Sequence, residues 1–190
     1  MTAIVGLVHQ GTVYIGGDSA GASGWSLTVR ADSKVFHNNG YLFGFTTSFR
    51  MGQLIRYSLK PPKPVGDIER FMATRFIDAV RECLKAGGWA RRDSEREEGG
   101  TFLVGVKGRL FTVHDDYQVA EAADGYAAVG VGDEIALGAL FATAQSRMAP
   151  QRRVETALRA AERFSAGVRG PFVCLSQPPG VVASSGKLSM

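Results

Sequence analysis

Residues 1–19 decide the fold, and they read MTAIVGLVHQGTVYIGGDS. Two runs rich in β-forming residues, 3–8 and 12–16, flank a tripeptide that ends in glycine, which can supply a tight turn. The stretch therefore predicts a β-hairpin at the start of the chain. If Met1 is removed, Thr2 carries an α-amine and a β-hydroxyl on one residue, and such an amine can act as general base for its own hydroxyl.

A second hairpin and two helices follow. Residues 33–36 and 41–45 surround Asn39-Gly40, a dipeptide typical of type I′ hairpin turns. Beyond this hairpin the apolar residues recur every three or four positions, which predicts a helix from Met51 to Leu59 and a longer one capped by Asp67.

The second half of the chain repeats this order of strands and then helices. A charged segment, predicted to be a loop (90–100), leads to strands at 101–106, 110–114, 117–120 and 126–129, helices at 134–148 and after Pro150, and strands at 171–175 and 180–183. The four strands from 101 to 129 are predicted to form one meander. Strands followed by paired helices favour an α+β fold, a four-layer αββα sandwich of two antiparallel sheets flanked by helix pairs. No linker divides the chain, so one domain is expected over 1–190.

Composition excludes several classes of function. The net charge of +4 comes from Lys and Arg spread along the chain, which argues against nucleic-acid binding, and no apolar run approaches the ~20 residues of a membrane span. No signal peptide is evident, so a cytoplasmic protein is expected. Cys83 and Cys174 stand alone in apolar patterns, and His9, His37 and His114 have no partner at a catalytic spacing. We expect no metal, disulfide or cofactor.

The sequence resembles the proteasome β-subunit family, and most of all its bacterial HslV peptidase branch, whose members also start Met-Thr. The similar stretches are MTAIVGLV (1–8), VYIGGDS (13–19), SKVF (33–36), GF (44–45) and AVGVG followed by ALGAL (128–140). The resemblance implies an N-terminal-nucleophile (Ntn) hydrolase fold. It also implies a threonine nucleophile at Thr2, with Asp18 and Lys34 at the separations found in the family.

The chemistry of these three residues agrees with the resemblance. An α-amine titrates near ~7.7–8.0, so a modest downward shift of its pKa leaves it largely neutral and basic at neutral pH. A buried Lys34 ammonium close to the Thr2 hydroxyl would favour that shift and stabilise a developing alkoxide. Asp18 is expected to keep Lys34 charged, because an unpaired buried ammonium tends to lose its proton.

The resemblance also places an oxyanion hole and a substrate pocket. Where the family commonly has glycine, this chain has Thr46-Thr47-Ser48, and the backbone N–H of Thr47 or of Ser48 would stabilise the tetrahedral oxygen. Arg50 follows at a position where family members line the substrate pocket, although a surface arginine at a helix start is an equal alternative.

The chain departs from the family around the terminal amine. Val131 replaces the serine of a Gly-Ser-Gly turn, with Asp133 as a substitute, and Ser165 and Val168 match two positions that are polar in the family. Three functions remain open: a threonine endopeptidase in a self-compartmentalised ring, a catalytically impaired ring subunit, or an Ntn amidase acting on small amides. The resemblance implies unfolded protein or peptide as substrate, a homo-oligomeric ring, and a separate ATP-driven unfoldase as a possible partner chain.

Overall fold

The elements of the fold alternate in blocks of strands and helices. The computed structural model describes residues 2–24, 26–89, 91–93 and 96–180. Its strands are β1 (Ala3–His9), β2 (Thr12–Gly17), β3 (Ala20–Ser23), β4 (Ser26–Val29), β5 (Val35–Asn38), β6 (Tyr41–Phe45), β7 (Arg91–Asp93), β8 (Arg96–Glu98), β9 (Phe102–Val106), β10 (Arg109–Val113), β11 (Val119–Glu121), β12 (Tyr126–Gly130) and β13 (Val173–Gln177). Its helices are α1 (Phe49–Tyr57), α2 (Ile68–Phe71), α3 (Ile77–Ala86), α4 (Asp133–Ala142) and α5 (Pro150–Phe164), and a π-helical segment (Met72–Phe76) joins α2 to α3.

Two antiparallel sheets carry most of the strands. The first has the order β12-β1-β2-β13 and the second has the order β11-β10-β9-β6-β5. The two predicted hairpins are confirmed, and they lie in different sheets: β1 pairs with β2, and β5 pairs with β6. Asn39 and Gly40 have φ values of 47° and 83°, as a type I′ turn requires.

The alternation of side chains along β1 explains why this strand lies between two layers. Ile4 points into the space between the sheets, where it packs with Ile15 of β2 and Leu42 of the opposite sheet. Ala3 and Val5 point to the other side and pack against α4 and α5. Both faces of the strand are therefore buried, which accounts for its nearly continuous apolar sequence.

A second helix layer covers the other sheet. Phe43 of β6 and Phe102 of β9 pack against apolar residues of α1 and α3, including Leu54 and Val80. The order of layers is thus helices, sheet, sheet, helices, which confirms the predicted αββα sandwich. Asp67 caps α2 by accepting a hydrogen bond of 2.8 Å from the Arg70 N–H, as its position predicts.

Four details differ from the predictions. Residues 126–129 do not continue the second meander, because β12 crosses to the first sheet and pairs with the open edge of β1. The segment 90–100 carries the short β7–β8 pair, and the glycine-rich segment after Asp18 carries the β3–β4 pair. Helix α4 ends at Ala142, six residues before the predicted end. The predicted strand 180–183 lies outside the described residues beyond Gly180.

Within the described ranges, no helix is long and apolar enough to cross a membrane.

Candidate active site

Thr2, Asp18 and Lys34 meet at one end of the sandwich. Thr2 precedes β1 and Asp18 follows β2, and since these strands are antiparallel neighbours, the start of one lies beside the end of the other. The Asp18 N–H donates to the Ala3 carbonyl at 3.3 Å, which extends the hydrogen bonding between β1 and β2 by one residue. Lys34 enters from the opposite sheet, immediately before β5.

The side chains of these three residues form a continuous hydrogen-bonded chain. The Lys34 Nζ donates to Thr2 Oγ1 at 2.8 Å and to Asp18 Oδ1 at 2.7 Å. Thr2 is 5% exposed, and Asp18 and Lys34 are each 2% exposed. The structure therefore places a cation directly against the hydroxyl, in surroundings from which bulk water is largely excluded.

The Asp18 carboxylate is fully engaged. Besides Lys34, Oδ1 accepts from the Ala3 N–H at 3.2 Å, and Oδ2 accepts from the N–H groups of Ala20 at 3.0 Å and Arg169 at 3.2 Å. Four donors hold this carboxylate in one orientation. Asp18 thus fixes the direction from which Lys34 approaches the Thr2 hydroxyl.

Burial and charge act in opposite directions on Lys34. Desolvation lowers the pKa of the Lys34 ammonium from its ordinary value of 10.5, whereas the charge and hydrogen bond of Asp18 raise it, and the net direction is downward. The nearby Arg30 guanidinium adds to the lowering. Lys34 therefore gives up a proton more readily than an exposed lysine does.

The structure separates the two candidates for the oxyanion donor. The Ser48 N–H donates to the Thr46 carbonyl at 2.7 Å, and the Ser48 hydroxyl caps α1 by accepting from the Arg50 N–H at 3.1 Å. The Thr47 N–H donates no hydrogen bond within the part of the chain that the structure describes. Thr47 is therefore the residue of this segment whose N–H is available to a ligand.

Arg50 and Arg30 occupy different surroundings. The Arg50 Nη2 donates to the Gly87 carbonyl at 3.2 Å, so this exposed side chain ties the start of α1 to the end of α3. Its predicted role in a substrate pocket stays a prediction. Arg30, which the sequence did not single out, lies over the Phe49 ring at 3.8 Å, and Lys34 Nζ is 5.7 Å from the centre of the same ring. Sequence spacing could not reveal that Arg30, Phe49 and Lys34 lie together, because Arg30 and Phe49 belong to separate segments of the chain.

The backbone of Thr2 lies against Gly130 and Gly132. A Cβ added to Gly130 would lie 2.3 Å from the Thr2 carbonyl oxygen, so β12 passes very close to it. The Gly132 N–H donates to that same oxygen at 3.4 Å. Around Gly132 pack Ala161 and Val168, both fully buried.

The predicted supporting residues make other contacts. Asp133 Oδ1 accepts from the Glu134 N–H at 2.8 Å, at the start of α4, and Ser165 ends α5 by donating its N–H to the Ala161 carbonyl at 2.8 Å. Among the described residues, neither Asp133 nor Ser165 hydrogen-bonds Thr2. Val131 is 54% exposed, and the role of all these positions toward the amine stays a prediction.

An open cleft adjoins this end of the sandwich. It runs between the two sheets and is lined by Thr46, Thr47, Thr101, Thr112, His114 and Gly130, among others. Since Thr47 and Gly130 both border it, a ligand in this cleft would contact the segment 46–48 and the backbone beside Thr2 together.

Comparison with known proteins places this architecture. No family model matches the sequence, and no curated protein matches it. Among solved structures, BPH of Thiobacillus denitrificans aligns with a TM-score of 0.79 at 17% identity, over 93% of this chain and 97% of the other. The complex of BPH with epoxomicin gives a TM-score of 0.79 at 16% identity, over 96% and 100%. HslV from Trypanosoma brucei gives a TM-score of 0.65 at 18% identity, over 92% and 98%.

BPH is a bacterial proteasome homologue, and both neighbours have the proteasome-like arrangement of Ntn hydrolases. The match extends over nearly the whole of each chain, so it concerns the complete sandwich and not one hairpin. The chain therefore has the proteasome-like fold of the Ntn hydrolases, as its first residues predict.

Proposed function

We propose that this protein is a threonine-type endopeptidase whose nucleophile is Thr2, exposed by removal of Met1. One observation carries the proposal: a buried lysine ammonium lies 2.8 Å from the Thr2 hydroxyl and is oriented by a buried carboxylate. A buried charge is costly unless it is paired or used, and here one of its hydrogen bonds goes to a hydroxyl that could act as a nucleophile.

In the acylation step, Thr2 Oγ1 attacks the carbonyl carbon of the scissile amide. The hydroxyl proton passes through a water molecule to the α-amine of Thr2, which then delivers it to the leaving nitrogen as the C–N bond breaks. An ester now joins Oγ1 to the acyl part of the substrate. Water, activated by the same amine, hydrolyses this ester and restores the hydroxyl.

Lys34 and Thr47 stabilise the charges that develop during these steps. The Lys34 ammonium favours the alkoxide form of Thr2, and its charge lowers the proton affinity of the nearby amine. The Thr47 N–H, available beside the cleft, is the proposed donor to the oxyanion. Asp18 acts through Lys34, since its oxygens are occupied by four donors.

The fold supports a wider proposal about assembly. Because the neighbours in fold include a bacterial proteasome homologue and HslV, we propose that copies of this chain form a ring that encloses the Thr2 sites. The substrate would then be unfolded protein or peptide. A separate ATP-driven unfoldase, as a partner chain, would deliver folded substrates.

A catalytically impaired ring subunit of the same fold is the second candidate. The observation that favours it is the apolar packing of Ala161 and Val168 around Gly132, close to the backbone of Thr2. These side chains cannot hydrogen-bond the amine, so turnover in the impaired subunit would be low even though the hydroxyl and Lys34 are in place.

Labelling of Thr2 distinguishes these candidates. Mass spectrometry of the purified protein first establishes whether Thr2 is the first residue. The protein is then incubated with epoxomicin, which is bound to BPH in a solved structure. We expect one adduct on the wild type and none on Thr2→Ala, while Thr143→Ala, a change at the remote end of α4, labels normally.

Two results would contradict the peptidase. Retention of Met1 would leave the Thr2 nitrogen in a peptide bond, and a processed protein without an adduct would favour the impaired subunit. An adduct together with hydrolysis of small acyl amides, but not of casein or short fluorogenic peptides, would favour the Ntn amidase.

A further inference from the structure

The backbone of Thr47 has an unusual conformation. Its φ angle is +65°, in the left-handed region, which glycine adopts freely and β-branched residues rarely do. Among the described residues, Thr47 is the β-branched one with a positive φ. Such a conformation persists only where surrounding contacts hold it, and it is found disproportionately at functional sites.

Two hydrogen bonds to one residue hold this conformation. Thr47 Oγ1 accepts from the Thr101 N–H at 3.1 Å, and the Thr101 carbonyl accepts from the Thr46 N–H at 3.1 Å. Thr101 immediately precedes β9, which pairs with β6 in the middle of the second sheet. The segment is therefore attached at both its backbone and its side chain to a rigid part of the fold.

Close packing supports the same arrangement. A Cβ added to Gly100 would lie 3.2 Å from the Thr47 Cβ and 2.5 Å from the Met51 sulfur. The chain before β9 thus fits against the Thr47 side chain with no room for a larger residue at position 100.

The hydrogen bonds to Thr101 determine whether the N–H of Thr47 or that of Ser48 is available to a ligand. With Thr47 at positive φ, the Ser48 N–H turns back to the Thr46 carbonyl at 2.7 Å, and the Thr47 N–H is left without an acceptor in the described chain. We propose that Thr47 is a positioning residue, whose hydroxyl, bonded to the Thr101 N–H, holds the turn so that its own N–H serves as the oxyanion donor. This inference rests on the proposed peptidase function. It assigns to the Thr47 side chain the role of holding a positive φ, a conformation that glycine adopts without support from a side chain.

The first test does not depend on activity. Amide hydrogen exchange is measured at Thr101 in wild type, Thr47→Val, Thr47→Ser and the control Thr143→Val, which loses a hydroxyl bond to the Ala139 carbonyl far from the site. Because a lost hydrogen bond exposes the amide, we expect exchange at Thr101 to accelerate about tenfold or more in Thr47→Val. Thr47→Ser and Thr143→Val should retain wild-type exchange.

The second test measures the reaction itself. With processing at Thr2 verified, the inactivation rate constant kinact and the inhibition constant KI for epoxomicin are determined for the same variants and for Thr47→Gly. Removing one oxyanion donor outright lowers the rate by about 10²–10³. Thr47→Val would misplace the donor without removing it, so we expect its kinact to fall about tenfold or more at unchanged KI. Thr47→Ser should stay within about twofold, and Thr47→Gly within about threefold, since glycine adopts a positive φ without strain.

The outcomes separate the two proposals. A processed wild type that does not react overturns the proposed function, and the exchange experiment then still decides whether Thr47 holds the turn. Unchanged exchange at Thr101 in Thr47→Val overturns the inference. So does a kinact equal to that of the wild type in this variant, or an equal loss in Thr143→Val.

Discussion

The two sides of Thr2 are built differently. On the hydroxyl side, Lys34 and Asp18 form a polar network in which each oxygen of the carboxylate has two donors. On the side of Gly132, the neighbours are the apolar side chains of Ala161 and Val168.

This difference indicates for which part of the proposed reaction the described residues supply polar groups. Lys34, which would activate the hydroxyl under the proposed function, hydrogen-bonds both Thr2 and Asp18. The side chains of Ala161 and Val168, in contrast, offer the amine no hydrogen bond. Under the proposed function, reactivity should depend strongly on Lys34, and a polar group added on the Gly132 side of Thr2 should increase it. Four substitutions or measurements test this comparison.

The largest effect is expected from removing the centre of the polar network. Asp18→Ala leaves Lys34 as an unpaired buried cation and frees three backbone N–H groups, so unfolding free energy should fall by about 3–5 kcal/mol. Urea denaturation measures this loss. Asp32→Ala is the matched control, because it breaks an ion pair with Arg30 whose side chains are 36% and 43% exposed and should cost less than about 1 kcal/mol. Equal losses in the two variants would contradict the central role of Asp18.

Removing the cation should affect reactivity more than any other change outside Thr2. In Lys34→Met the hydroxyl loses the charge 2.8 Å away, and labelling by epoxomicin should slow by about 10²–10³. Lys63→Met, at an exposed position, is the control. Rates of the two variants within a factor of two of each other would remove Lys34 from the mechanism.

Faster labelling by epoxomicin is expected when a polar group is added on the Gly132 side of Thr2. Val131→Ser introduces a hydroxyl at the position where the family has serine. If it supplies one hydrogen bond to the amine, worth about 0.5–1.5 kcal/mol, labelling should accelerate by about two- to tenfold. Val65→Ser, at a valine that is 56% exposed against 54% for Val131, should change nothing. An unchanged or slower rate in Val131→Ser would mean that the amine is not limited by polar support.

The smallest effect concerns stability at alkaline pH. Because the pKa of Lys34 is lowered below 10.5, the folded protein binds fewer protons at this site than the unfolded chain between the lowered pKa and 10.5. Stability of the wild type relative to Lys34→Met should therefore rise with pH in that window, by less than about 1.4 kcal/mol per pH unit. Urea titrations at pH 8, 9 and 10 measure this difference, and a relative stability that falls with pH would show that the Lys34 pKa is raised instead.

Local patterns in the sequence predicted much of the fold. Asn39-Gly40 needs positive φ at both residues, and Asp67 precedes an apolar stripe, so the turn and the cap follow from chemistry within a few residues. Strand partners are non-local, which is why the prediction of one meander over the four strands from 101 to 129 is wrong for β12. Pairing with β1 depends on which sheet edge is open, and adjacent residues carry no signal for that.

The site divides in the same way. The resemblance to the proteasome β-subunit family named Thr2, Asp18 and Lys34, and the structure brings these three side chains together. Their catalytic roles stay a proposal. The choice between Thr47 and Ser48 required the backbone conformation at Thr47, and this depends on Thr101, which lies 54 residues away. The Arg30 contact with Phe49 is likewise a product of packing between distant segments.

The bond from the Arg169 N–H to Asp18 has a consequence for the order of events during biosynthesis. Ser19 makes two further bonds to the same late segment, from its N–H to the Arg169 carbonyl at 2.8 Å and from its hydroxyl to the Pro171 carbonyl at 2.6 Å. Arg169 lies 151 residues after Asp18, so the ribosome adds it long after the segment that carries Asp18. The four-donor setting of the Asp18 carboxylate therefore forms only after the chain has been synthesised as far as Arg169, so a fragment that stops short of this residue cannot complete it.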